Sequence, residues 1–239
     1  MASIIPPSNT LRQQCRWHTF ATATSLEHAA ALAIFNASKH AIRQHHAFHI
    51  VLAGGTTPRR VYELLGTMEA NWQAWHIYFG DERCLPEDHA ERNSHMAGQV
   101  WLEHVSIPAS QIHVIPAEQG AETAASVYAR ELGKVDMFDM VILGLGEDGH
   151  TASLFPEKEW GVSVDSPATI AVYNAPKPPS ERVSLTAHRL SKTHQLFFLV
   201  SGAAKRQALR EWRDGKDIPA AAIAPACGVD VFVEEVTLS

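Results

Sequence analysis

Phe48-His49-Ile50-Val51-Leu52-Ala53-Gly54-Gly55-Thr56-Thr57-Pro58 is the stretch that decides the fold class. A short apolar run rich in β-branched residues reads as a buried strand, and Gly54-Gly55 ends it. Pro58 then opens a segment, Arg59 to Leu65, with Val61, Leu64 and Leu65 on one side. The sequence therefore spells strand, glycine loop, helix.

The same alternation continues in both directions. On the N-terminal side, Thr24-Ser25-Leu26-Glu27 reads as a capping box, and Leu26, Ala29, Ala30, Ala33, Ile34, Ala37 and Ala41 repeat at helical spacing. On the C-terminal side the pattern predicts a strand at Trp75–Phe79, a helix at Asn93–Glu103, a strand at Ile112–Ile115, a helix at Ala121–Leu132 and a buried strand at Phe138–Leu143. Further strands are expected at Thr169–Tyr173, Arg182–Thr186 and Leu196–Ser201, then a helix at Ala203–Trp212 and a last strand at Val229–Glu234. Alternation of this kind implies α/β architecture with a mostly parallel, Rossmann-like sheet covered by helices. No repeat, low-complexity tract or linker calls for a cut, so a single domain is expected over residues 1–239. Residues 1–19 serve as a leader that could include a first strand. Pro156–Pro167 and Pro176–Pro179 read as loop over the site.

Bulk composition narrows the function classes. Hydrophobic residues make up 46% and charged residues 19% of 239, enough apolar material for a sizeable core. A formal net charge of -6 argues against a nucleic-acid partner, which usually demands a basic face. Cys15, Cys84 and Cys227 are odd in number and widely spaced, which points to reduced thiols rather than a disulfide framework. No basic n-region precedes an apolar run, and no stretch approaches about 18 apolar residues. The expectation is a soluble cytoplasmic protein without a membrane partner, with a monomer as the expected state.

Ligands of open α/β sheets collect at the carboxyl ends of strands, and three such ends carry unusual chemistry. At Gly54-Gly55-Thr56-Thr57 two glycines let the backbone approach an oxyanion, two hydroxyls add donors, and the following helix N-terminus supplies free N–H groups. It reads as a phosphate cradle, against the blander reading of a tight turn. At Asp81-Glu82-Arg83, two acids could orient sugar hydroxyls while the guanidinium grips a phosphate or carbonyl oxygen, and a charged surface loop is the competing account. Cys84 inside that loop lacks an arranged base and reads as a bystander.

The third loop is Gly144-Leu145-Gly146-Glu147-Asp148-Gly149-His150-Thr151-Ala152-Ser153-Leu154-Phe155-Pro156. It holds a literal G-x-G-x-x-G, but Pro156 interrupts seven residues after Gly149, where a dinucleotide fingerprint would run into a long helix. The glycines read instead as shaping a loop that presents His150, whose imidazole suits proton abstraction near neutral pH with Asp148 close enough to orient it. His150 is nonetheless one histidine among 14. His45, His46 and His49, and separately His89 and His95, cluster without H-E-x-x-H or paired-cysteine spacing, so neither a metal nor any other cofactor is expected.

From roughly Phe20 onward the chain resembles the 6-phosphogluconolactonases, related in fold to the glucosamine-6-phosphate deaminases. The carriers are Gly54 to Pro58, Asp81-Glu82-Arg83 with Pro86 and Ser94, Gly144 to Pro156, Ala175-Pro176-Lys177-Pro178-Pro179 with Arg182, and Gly202 with Lys205. Deaminases resemble this pattern but show Asp-Glu-Tyr in the second loop and Ile-Ala-Phe-Asn-Glu-Pro after the histidine. Arg83 and the run Thr151-Ala152-Ser153-Leu154-Phe155-Pro156 are lactonase-like. Two departures stand out: Thr56 where lactonases more often carry serine, and an unfamiliar Arg189–Gln195 segment.

The resemblance implies a sugar-phosphate isomerase/deaminase-like fold and hydrolysis of 6-phospho-D-glucono-1,5-lactone in the oxidative pentose phosphate route. A δ-lactone is an activated ester, so positioning, one general base and an oxyanion stabiliser suffice without a covalent intermediate or metal. His150 would activate the water, with Asp148 or Asp81 supporting the imidazolium. Arg83 would face the phosphate or the oxyanion, while Lys177 and Arg182 hold the phosphate with Gly54, Gly55, Thr56 and Thr57. Lys205 reads as a helix-start surface residue. A deaminase-like isomerase and a non-catalytic sugar-phosphate sensor are the competing functions.

Overall fold

Strands whose residues are apolar throughout can be satisfied only by burial on both faces, and two such runs, Met140–Gly144 and Leu196–Val200, lie side by side within the sheet. The computed structural model describes residues 13–238, so the leader before Gln13 lies outside the described residues. The strands β1 (Cys15–Phe20), β2 (Phe48–Leu52), β3 (Trp75–Phe79), β5 (Ile112–His113), β6 (Met140–Gly144), β9 (Leu196–Val200) and β10 (Val229–Glu234) build a seven-stranded sheet in the order β1-β10-β9-β6-β2-β3-β5. Every neighbouring pair runs parallel. Ile50, Val51, Ile77, Val141, Ile142, Leu196 and Phe198 are fully buried, each contributing about 1.5–3 kcal/mol relative to exposure.

Among the described residues six α-helices accompany the strands: α1 (Ala23–His45), α2 (Thr56–Gly66), α3 (Asn93–Val100), α4 (Ala121–Leu132), α5 (Ala187–Ser191) and α6 (Arg206–Arg213). From β2 the chain proceeds to β3 on one side, whereas β6 and β9 are laid down on the other. The strand order therefore reverses at the β2–β6 boundary, and the loops leaving those two strands part there to open a crevice.

A second, three-stranded antiparallel sheet joins β4 (Asp81–Arg83), β8 (Arg182–Leu185) and β7 (Thr169–Val172), with Asp81 opposite Ser184 and Arg83 opposite Arg182. Sequence pattern predicts strands at the last two but leaves Asp81–Arg83 in a loop. Three charged residues carry no hydrophobic alternation, and tertiary pairing alone imposes the strand.

Other element boundaries shift for local reasons. Helix α1 is capped by Thr22, whose Oγ1 accepts from Ser25 N at 3.1 Å while Ser25 Oγ accepts from Thr22 N; the predicted cap at Thr24 lies inside the helix. Helix α2 starts at Thr56 rather than after Pro58, since a proline in the first turn removes an N–H that has no intrahelical partner. Helix α3 stops at Val100 and the predicted remainder becomes a 3₁₀ turn at Leu102–His104. The unfamiliar Arg189 is buried under Phe138, its guanidinium carbon 3.8 Å from the ring centre and its Nη2 donating to Val135 O at 2.8 Å.

Adjacent strands also line up three imidazoles. His49 stacks on His76 at 4.5 Å, His76 on His113 at 5.8 Å, and Tyr78 on His113 at 4.4 Å. Burial, and then the charge of His76, lowers His49 from 6.5 to about 4, while nearby Asp139 opposes the shift. Burial likewise lowers His76 and His113, the latter against the attraction of Glu131 at 3.0 Å. Groups with folded values below the unfolded ones bind more protons when the chain unfolds. Their contribution to stability is therefore complete above the unfolded value and lost as pH falls toward the folded one. We expect the thermal unfolding midpoint to drop between about pH 7 and about pH 4.5. His49→Phe, which keeps a stacking ring but cannot titrate, should flatten that drop, and an unchanged pH profile in the variant would contradict this reading.

Candidate active site

The crevice at the strand-order reversal is a cleft of about 420 Å³, lined by the loops that leave β2, β3, β6 and β9. The first contributes Gly54 to Pro58, the second Asp81 and Arg83, the third Gly144 to His150, and the fourth Ser201 and Lys205. Lys177, Pro178 and Arg182 close one side. All ten side chains and glycines expected from the sequence to form the site reach this region, although Asp148 does so through His150.

The loop after β6 folds back on itself, with Gly146 N donating to His150 O at 2.7 Å and Gly149 N to Gly146 O at 3.2 Å. A Cβ on Gly146 would lie 2.0 Å from His150 Nδ1, so only glycine leaves room for the imidazole. Gly149 adopts φ +85°, and a Cβ there would crowd Ile218 at 3.1 Å. No helix follows, since the next one begins at Ala187. The glycine pattern thus seats a histidine and does not lead a pyrophosphate to a helix.

His150 Nδ1 makes a short hydrogen bond to Asp148 Oδ1, which also accepts from His150 N at 3.2 Å. Nδ1 is therefore the protonated nitrogen, and the lone pair sits on Nε2. Phe155 flanks the ring at 4.8 Å. Burial lowers the imidazole below its ordinary value, offset in part by the attraction and hydrogen bond of Asp148, with Asp81 acting the same way and Lys177 the opposite. Burial works against ionising Asp148, but the attraction and hydrogen bonds of His150 together outweigh it and lower its carboxyl. At neutral pH the pair is carboxylate and neutral imidazole.

The sequence leaves two carboxylates open as the partner of His150, and the geometry separates them. Asp81, 5% exposed, accepts Ser153 Oγ at 2.5 Å and Asn93 Nδ2 at 3.1 Å and makes no hydrogen bond to the ring. Glu82 is a correction to the idea that both acids of the second loop face a sugar. It is fully buried, accepting the backbone N–H of Arg83, Asn93 and Ser94 at 2.9, 2.8 and 2.9 Å. Its Oε2 also pairs with buried Arg92 Nε at 3.2 Å. It is spent on the start of α3, where an anion satisfies orphan donors. Arg83 lines the cleft, donates from Nη1 to Glu91 O, and leaves its buried Nε without a partner among the described residues.

On the opposite flank, Gly55 holds φ +106° as the α2 N-cap, and the first turn bears neither a capping side chain nor an acid. Its backbone donors therefore face the cleft beside Thr56 and Thr57. Arg182 is not a salt-bridge residue: Nε donates to Pro179 O at 3.2 Å and Nη2 to Lys177 O and Pro178 O at 3.0 and 3.1 Å. Burial lowers its guanidinium below the usual value, yet an arginine stays protonated. Lys177 Nζ lies 3.6 Å from Glu147.

Lys205 is a further correction, because it lines the cleft instead of standing in bulk solvent, and burial lowers its ammonium. Its signal was present as one of the family-like residues. Asn93 and Ser153 were also passed over, since a buried amide and hydroxyl have no sequence signature apart from their position beside recognised loops. Among the described residues, the cleft lining holds four cations, Arg83, Lys177, Arg182 and Lys205, against one carboxylate, Asp81, with Asp148 behind His150 and Glu147 beside Lys177. Cys84 bonds through its backbone to Glu181 O, and burial pushes its thiol up to about 11, which suits a bystander. In the first histidine cluster, His45 Nε2 contacts Asp139 at 2.8 Å and His49 stacks on His76. Among the described residues, no three His, Cys, Asp or Glu side chains are grouped to hold a metal ion.

Comparison with known proteins agrees with this geometry. The family model for glucosamine-6-phosphate isomerases/6-phosphogluconolactonase matches residues 21–232. A 6-phosphogluconolactonase of Synechocystis is 37% identical over 171 residues, 68% of this chain and 70% of the relative. One of Mycobacterium leprae is 36% identical over 193 residues, covering 75% and 76%. The crystal structure of the Thermotoga maritima 6-phosphogluconolactonase superposes with a TM-score of 0.85 at 26% identity, over 92% of this chain and all of the other. The Trypanosoma brucei 6-phosphogluconolactonase shares the fold at a TM-score of 0.86 and 24% identity, covering 94% and 98%. This chain belongs to the glucosamine-6-phosphate isomerase/6-phosphogluconolactonase family.

Proposed function

We propose that this protein is a 6-phosphogluconolactonase, hydrolysing 6-phospho-D-glucono-1,5-lactone to 6-phosphogluconate with His150 as general base. The observation that carries the reading is a neutral imidazole, fixed by Asp148 through Nδ1 with Nε2 unprotonated, inside a cleft lined by Arg83, Lys177, Arg182 and Lys205. The imidazole supplies the base and the cations attract a phosphorylated substrate.

In the reaction, water bound at His150 Nε2 attacks C1 and its proton passes to the imidazole. Asp148 steadies the imidazolium, since it bonds the ring directly while Asp81 is bonded to Ser153 and Asn93 instead. Collapse of the tetrahedral intermediate breaks the bond from C1 to the ring oxygen. The imidazolium returns its proton to that oxygen, leaving a carboxyl group at C1 and a hydroxyl at C5. Arg83, with its Nε unpaired, stabilises developing negative charge, while the α2 N-terminus, Thr56, Thr57, Lys177, Arg182 and Lys205 hold the phosphate end.

The proposal extends to a monomeric, cytosolic enzyme that needs no metal. The three cysteines are free thiols, and among the described residues no helix is long and apolar enough to cross a membrane. The deaminase alternative is disfavoured by the run after the base: Thr151 Oγ1 is bonded to Gly144 O at 2.9 Å and Ser153 to Asp81, so no acid stands there.

Freshly prepared 6-phosphogluconolactone at mildly acidic pH, where spontaneous opening is slow, should release acid well above the blank with wild-type protein and unchanged with EDTA. His150→Ala should lower kcat by on the order of 10²–10⁴. No excess over the blank with wild type removes the lactonase reading, and loss with EDTA removes the metal-free one. Gly146→Ala tests the seat of the base separately. Its methyl group would displace the ring, so activity should fall at least about tenfold while circular dichroism stays native; full activity in the variant contradicts the seating argument.

A further inference from the structure

We propose that Asn93 is a substrate-contacting specificity residue, whose Oδ1 accepts a hydrogen bond from a ring hydroxyl of the sugar lactone; this rests on the lactonase reading above. Asn93 is 4% exposed yet lines the cleft. Its orientation is fixed by what surrounds it. Nδ2 donates to Asp81 O at 2.9 Å and to Asp81 Oδ1 at 3.1 Å, and two acceptors on that side exclude the reverse placement of the amide. Its own backbone N–H is held by Glu82 Oε1 at 2.8 Å. Oδ1 consequently points the other way, against Gly54, where a Cβ would meet it at 1.9 Å.

That oxygen has no hydrogen-bond partner among the described residues, although the rest of the side chain is buried and bonded. An acceptor held in a rigid frame and left open to a ligand cleft costs free energy until a donor arrives, which makes it selective for one. The donor is not a phosphate: Asp81 stands beside it, and an ionised phosphate would be repelled by both oxygens. A sugar hydroxyl fits, since it can donate to Oδ1. The absence of a side chain at Gly54 then has a second purpose, opening the face of Asn93 that the substrate reads.

This places the polyol part of the lactone over Asp81 and Asn93 and leaves the phosphate to the cationic side formed by Lys177, Arg182 and Lys205. Specificity at Asn93 is thus a hydroxyl test on the ring, separate from the charge test on the phosphate.

The test uses the 2-, 3- and 4-deoxy forms of 6-phosphogluconolactone beside the parent, with wild type and Asn93→Ala. Wild type should lose roughly tenfold or more in kcat/KM on the deoxy lactone that lacks the read hydroxyl, from the unpaired acceptor. Asn93→Ala should lose a similar factor on the parent and nothing further on that deoxy lactone. Equal kcat/KM of wild type on all four lactones overturns the proposal without any variant. So does a fall in Asn93→Ala that is the same factor on parent and every deoxy form, which is what a purely structural role through Asp81 would give. Should Asn93→Ala not accumulate as folded protein, Asn93→Ser serves the same comparison. Failure of the lactonase reading itself is distinguishable, because wild type would then show no turnover of the parent lactone.

Discussion

The hydrogen bond from His150 Nδ1 to Asp148 is the interaction on which the site depends, and it exists only because position 146 has no side chain. The imidazole is largely buried, which disfavours its charged form, while the carboxylate next to it favours that form. The two effects leave a ring that is neutral at rest and has a stabilised imidazolium available during turnover. On the lactonase reading proposed above, this ring is the base that activates water toward the δ-lactone.

The fold's part is to bring separate stretches of chain to that ring. The parallel order β9-β6-β2-β3 places four loops at one end of the sheet, and at the reversal between β6 and β2 the histidine loop and the glycine loop line opposite parts of one cleft. The small antiparallel sheet then adds what a doubly wound sheet lacks. Pairing β4 with β8 sets Arg83 opposite Arg182, and through Ser153 and Ser184 it ties the histidine loop to Asp81. Arg182 in turn organises the carbonyls of residues 177–179 and so positions Lys177.

Much of this was legible in the sequence because it is written in local pattern. Apolar runs ending in glycine located β2 and β6, and the segments that follow contain Gly54, Gly55, Thr56, Thr57, Asp148 and His150, while Asp81 and Arg83 come after β3, Lys177 from the stretch between β7 and β8, and Arg182 from the start of β8. What the sequence did not disclose is written in tertiary contact. Asp81–Arg83 becomes a strand only by pairing with Arg182–Leu185. Glu82 looked like a site acid until its burial against Arg92 and the start of α3 accounted for it. Lys205 looked like a surface residue because its place at a helix start does not reveal that it faces the cleft, where burial lowers its ammonium. Asn93 gave no signal, since the freedom of one amide oxygen is a property of the folded cleft.

The central claim is that His150 is a neutral base whose proton affinity is set by burial against Asp148. Titration of the His150 ring by ¹⁵N-detected NMR, in wild type and Asp148→Asn, addresses it directly. Burial lowers the imidazole and Asp148 raises it, so the account predicts a wild-type midpoint below 6.5 with the proton on Nδ1 in the neutral form. Removing the carboxylate should move the midpoint lower still. A wild-type midpoint at or above 6.5, or one that Asp148→Asn leaves in place, would contradict it.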